Sequence, residues 1–107
     1  MAEFDCLSAL KAIGDENRLK ILALLLKQPM TVNQIGEQLG VSQYNVSKHL
    51  RVLREANLVE VKVRGRFHEY TLASHIQDHV GEGAQGVDLQ NCSIYVQDLL
   101  KTVKPPR

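Results

Sequence analysis

The chain has 107 residues, 44% of them hydrophobic, with a formal net charge of +1. That is the length of one domain, with enough apolar content for a core and too much for a wholly disordered chain. The longest apolar run, Ile21 to Leu26, is six residues, far short of the roughly 18 that a membrane span needs.

The N-terminus lacks a basic-then-apolar leader pattern, so a cytoplasmic location is expected. The near-neutral total does not itself point to a nucleic acid, but the charge is unevenly spread. Between Ser42 and Arg66 stand Lys48, Arg51, Arg54, Lys62, Arg64 and Arg66 against Glu55 and Glu60, while acids gather at Glu3, Asp5, Asp15, Glu16, Asp78, Glu82 and Asp88. A polyanion would find the positive region. Two cysteines, Cys6 and Cys92, lie far apart without Cys-x-x-Cys or zinc-finger spacing, and a structural disulfide is not expected in a cytoplasmic protein.

Taken in order, Glu3 to Ile13 is expected to be a first helix, with Phe4, Leu7, Leu10 and Ile13 forming an apolar face and Gly14 as its stop. Asp15 caps a second helix running to Lys27, apolar nearly all round and therefore central to the core. Pro29 breaks the chain. Thr31 starts a third helix, Val32 to Leu39, with Val32, Ile35 and Leu39 facing inward. Gly40 can take the left-handed conformation that ends it, and Ser42 caps the next helix.

That next stretch, Val41 to Leu58, reads as one helix. Val46, Leu50 and Leu53 form its apolar stripe. Gln43, Tyr44, Asn45, Ser47, Lys48 and Arg51 occupy the other side, donors, acceptors and cations with almost no carboxylates. Such a face suits the major groove of DNA. The alternative is an ordinary amphipathic surface helix, and the flanking elements favour DNA. A short helix, a glycine turn and a polar-faced second helix make up a helix-turn-helix. His49 lies near the core edge and reads as a phosphate contact or a buried donor.

After Leu58 the helical period gives way to strict alternation. Val59, Val61 and Val63 alternate with charged residues, and His68, Tyr70 and Leu72 share a face of Phe67 to Leu72. The two runs meet at Arg64-Gly65-Arg66 as a β-hairpin, which makes the whole a winged helix. The wing tip offers Arg64 and Arg66 to a phosphate or a narrow minor groove. Beyond it, His75 to Val80 is expected as a short helix, 81–86 as a loop, Val87 to Val96 as a strand and Gln97 to Val103 as a helix. No repeat or linker divides the chain. The expected fold is mainly α (α+β), a single winged-helix domain over 1–107, with the helix-turn-helix at 31–55, a two-stranded wing at 59–72 and a C-terminal segment at 73–107. No catalytic triad, paired carboxylates, phosphate loop or metal-hydrolase pattern occurs, so neither an enzyme nor a cofactor is expected.

Three segments resemble the ArsR/SmtB family of winged-helix repressors. They are Leu10-Lys-Ala-Ile-Gly-Asp-Glu-Asn-Arg-Leu-Lys-Ile-Leu-Ala-Leu-Leu-Leu26, the stretch from Val41 to Val59, and Arg64-Gly-Arg-Phe-His-Glu-Tyr-Thr-Leu72. The resemblance implies a homodimer, joined through the first helix and the C-terminal segment, that blocks transcription from a palindromic operator until an effector releases it. It places base reading at Gln43, Tyr44, Ser47 and Lys48, with Tyr44 standing where a small residue is usual.

Metal sensing is where the resemblance thins. The cysteine motif of one subgroup would fall near Thr31 and Asn33, neither of which is a ligand. The carboxylate and histidine pattern of another would fall near 74–82, where His75, His79 and Asp78 have the wrong offset and glycines interrupt, so no metal site is assigned. By the same resemblance Cys6 and Cys92 lie near the dimer interface. They are either a thiol couple that senses oxidants or a soft metalloid, or two buried apolar thiols. The rival functional reading is a winged-helix protein-interaction module without specific DNA readout.

Overall fold

Asp15 opens the central helix of the molecule. Its backbone is extended (φ −123°) and its carboxylate accepts from the Arg18 N–H at 3.1 Å, one of the donors that a helix start leaves without an intrahelical partner. The structure, a computed structural model, describes residues 6–77 and the strand segments 87–88 and 93–94. Helix α1 is Cys6–Ile13 and α2 is Glu16–Lys27. The Arg18 guanidinium ties the two together by donating through Nε to the Ala12 carbonyl. Lys20, buried along its stem, pairs with Glu16 one turn earlier at 2.9 Å.

After Pro29, Met30–Thr31 forms a short strand, β1, which was not expected. Thr31 then caps α3, Val32–Leu39, in a reciprocal capping box. Its hydroxyl accepts from the Gln34 N–H at 3.2 Å, while the Gln34 side chain accepts from the Thr31 N–H at 2.9 Å. The turn that follows is tight. Gly40 has φ 67°, and the N–H groups of Gly40 and Val41 both donate to the Gly36 carbonyl. Ser42 caps α4 by accepting from the Asn45 N–H at 3.2 Å.

Helix α4 is Gln43–Glu55, shorter than the stretch from Val41 to Leu58 that the sequence suggests. Asn57 ends it by adopting φ 61°, which lets its N–H reach the Arg54 carbonyl and the Leu58 N–H reach the Leu53 carbonyl, each at 2.9 Å. That pair of bonds is a Schellman closure, with asparagine in the place glycine usually takes.

Strands β2, Val59–Arg64, and β3, Phe67–Leu72, pair antiparallel from Val59↔Leu72 to Arg64↔Phe67. Gly65 and Arg66 form the two-residue loop, with Gly65 at φ 59° as its leading position requires. The wing is part of a three-stranded sheet rather than a free hairpin, because β1 pairs antiparallel with β3 through Met30↔Tyr70 and Thr31↔Glu69. Only the base of the wing is buried, at Val59, Thr71 and Leu72, and Val63 and Phe67 near its tip are exposed.

Helix α5, Ser74–Gln77, is held at its start by Glu60, whose carboxylate accepts from both the N–H and the hydroxyl of Ser74. Where one strand was expected over Val87 to Val96, two short strands, β4 (Val87–Asp88) and β5 (Ser93–Ile94), pair antiparallel. The helix expected to reach Val80 and the one at 97–103 run outside the described residues.

Ile21, Leu22, Ile35, Val46, Leu50, Leu53, Leu58 and Ile76 are fully buried. Burying one such side chain is worth about 1.5–3 kcal/mol, whereas an exposed ion pair is worth about 1 kcal/mol at most. Packing, not charge, therefore fixes where α4 sits. In α1 the buried residues are Ala9, Ala12 and Ile13, while Leu7 and Leu10 are 60% and 43% exposed. The apolar face expected there is real in composition, but only its Ile13 end enters the described core.

Candidate nucleic-acid interface

Helix α4 is anchored by the full burial of Val46, Leu50 and Leu53. That spacing turns Gln43, Tyr44, Asn45, Ser47, Lys48 and Arg51 outward, and all six are exposed. Tyr44 is 72% exposed, and the Lys48 ammonium lies 5.4 Å from its ring centroid, a cation–π contact that keeps both side chains on one patch. Arg51 faces Glu55 at 3.6 Å across one helical turn. A pair this exposed is weak and leaves the guanidinium available to a stronger anion.

The wing arginines are also exposed, Arg64 at 3.6 Å from Glu69. They stand at one side of a cleft of about 580 Å³ whose other side is the start of α3, from Thr31 to Gln34, with Phe67, His68 and Glu69 completing it. Asn33 connects this cleft to α4, because its Oδ1 accepts from Gln43 Nε2 at 2.7 Å. The first turn of α4, the first turn of α3 and the wing tip thus share one continuous surface.

His49 differs from its neighbours. Its side chain is only 20% exposed, and Nδ1 lies 3.4 Å from Arg18 Nη1 and 3.9 Å from Asp15 Oδ1. Facing a guanidinium, which only donates, Nδ1 is an acceptor, so the expected reading as a buried donor does not describe this nitrogen. Asn33, Gly36 and Asn57 carry structural tasks that sequence patterning did not single out. Asn33 had one available signal, a short amide side chain in the first turn of the helix before the glycine turn. Among the described residues no group of three or more histidine, cysteine or acidic side chains is placed to hold a metal ion. The side chains of Cys6 and His75, and all of His79 and Cys92, lie outside the described residues.

A short capped helix, a left-handed glycine turn, a second helix with an uncharged-to-basic outer face and a β wing define a winged helix-turn-helix protein. Residues 15–61 match the model of the bacterial regulatory protein, arsR family. Over 71 residues the chain is 37% identical to the transcriptional repressor SdpR of Bacillus subtilis, a match spanning 65% of this chain and 79% of that protein. It is 38% identical over 65 residues to the transcriptional activator HlyU of Vibrio cholerae, spanning 61% of this chain and 60% of that protein. The solution structure of the homodimeric winged helix-turn-helix DNA-binding domain of Mb0332 from Mycobacterium bovis superposes with a TM-score of 0.64 at 27% identity, covering 68% of each chain. The chain belongs to the arsR family of bacterial regulatory proteins, transcriptional regulators with a winged helix-turn-helix DNA-binding domain. Among the described residues no helix is long and apolar enough to cross a membrane.

Proposed function

We propose that the protein is a homodimeric transcriptional repressor that binds a palindromic operator and is released from it by an effector. The observation that carries this reading is the single exposed surface joining α4, the start of α3 and the wing arginines. Gln43, Tyr44, Asn45 and Ser47 supply discrimination between bases, while Lys48, Arg51, Arg64 and Arg66 supply attraction to phosphates. The exposed Leu7 and Leu10 on α1 support pairing of two copies, as does the homodimeric state of the Mycobacterium bovis domain. Repression follows the Bacillus subtilis relative. An oxidant or metalloid effector would act through Cys6 and Cys92.

The test is a gel shift on DNA from the promoter region of the protein's own gene, beside a random duplex of equal length, at two salt concentrations. The promoter DNA should be held at the higher salt while the random duplex is released, because non-specific binding is almost wholly electrostatic. Equal release of both would favour a protein-interaction module. Repeating the assay with oxidant, zinc and arsenite on wild type and Cys92→Ser tests the effector.

A further inference from the structure

Gln43 opens α4 and faces solvent, yet its amide is held in one sense. Its Nε2 donates to Asn33 Oδ1 at 2.7 Å, and Asn33 Nδ2 donates to Glu37 Oε1 at 3.4 Å one turn further along α3. An ionised carboxylate only accepts hydrogen bonds. Glu37 therefore turns the Asn33 NH2 toward itself and the Asn33 oxygen toward α4, and that oxygen draws the NH2 end of Gln43. What Gln43 has left for a ligand is Oε1 as acceptor and one Nε2 hydrogen as donor, side by side and in a set order.

In the major groove that pattern matches adenine, whose N6 amino group donates beside an accepting N7. Guanine shows two acceptors there, thymine an acceptor and a methyl group, cytosine a donor alone. An amide free to turn over can also direct its NH2 at the two acceptors of guanine. We infer that Asn33 is a positioning residue that restricts Gln43 to adenine in each operator half-site. The inference rests on α4 entering the major groove, as proposed above.

The experiment selects binding sites from a random duplex pool with the full chain, then measures affinity for the selected duplex and its single-base variants. Wild type should select an A·T pair in each half-site whose preference disappears in Gln43→Ala. Asn33→Ala should lower the preference at that same pair by about two- to tenfold, the worth of one net hydrogen bond. Other base pairs and the salt slope should not change. Asn33→Asp keeps the accepting oxygen, so it should keep the preference while binding all sequences more weakly through its added negative charge. An unchanged preference in Asn33→Ala, an effect at a different base pair, or Asn33→Asp behaving as Asn33→Ala would each overturn the positioning role. A Gln43-dependent pair other than A·T overturns the adenine assignment and leaves groove binding standing. Failure of the wild type to select any sequence would remove the groove reading and this inference together.

Discussion

The carbonyl oxygen of Val41 lies 2.8 Å from the point where a Cβ on Gly36 would stand. The turn between α3 and α4 passes so close over the third helix that only glycine fits beneath it. Gly36→Ala should therefore destabilise by about 1–3 kcal/mol, as overpacking against backbone does, despite alanine's better helix propensity. Gly40→Asn should cost less, since nothing crowds Gly40 and asparagine tolerates its φ of 67° better than other side chains do, although some backbone strain remains. Urea denaturation at one protein concentration checks both.

Arg66 and Gln43 are expected to fail in different ways. Arg66→Ala should weaken binding to every sequence and lower the log–log salt slope by about one unit per lost phosphate contact. Gln43→Ala should cost about 1–3 kcal/mol on the operator and little on random DNA. Binding isotherms over a salt series separate the two, and identical behaviour would refute the division between phosphate attraction and base reading.

His49 joins α4 to α2 through Arg18. The guanidinium of Arg18 can only donate, so Nδ1 is the acceptor, and removing it strands part of a half-buried guanidinium. His49→Ala should cost about 1 kcal/mol of stability and leave the salt slope as it was. A slope reduced by about one unit at unchanged stability would make His49 a phosphate ligand instead.

Leu7 and Leu10 stand out of the described core, so a charge there should spare the fold of one copy and oppose pairing of two. Leu10→Glu should shift the protein from dimer to monomer by sedimentation and weaken operator binding at least tenfold at fixed protein concentration, because the two half-sites are then no longer held by one particle. Retention of the dimer would move the interface away from α1.

The helix starts were legible because their signals are local. Asp15, Thr31 and Ser42 each accept from an N–H three residues on, and no distant contact is needed to recognise them. The same holds for Gly40 and Gly65, which take the positive φ that their turns require. The end of α4 was not legible, since an asparagine far less often closes a helix than glycine does, and here Asn57 does so. Strand β1 was hidden for another reason. Met30 and Thr31 have no period of their own and become a strand only by pairing with Tyr70 and Glu69. At the interface the outward residues of α4 followed from the apolar stripe beneath them. The pairing of His49 with Arg18 and the bond from Gln43 to Asn33 did not, because both depend on how α4 lies against α2 and α3.

Entry of two copies of α4 into successive major grooves of one duplex is tested most directly by footprinting the bound operator with a probe of major-groove base edges. Two protected patches should appear on one face of the DNA, one helical turn or roughly 34 Å apart, and both should fade together in Gln43→Ala. A single protected patch, or protection confined to the minor groove and indifferent to Gln43, would contradict it.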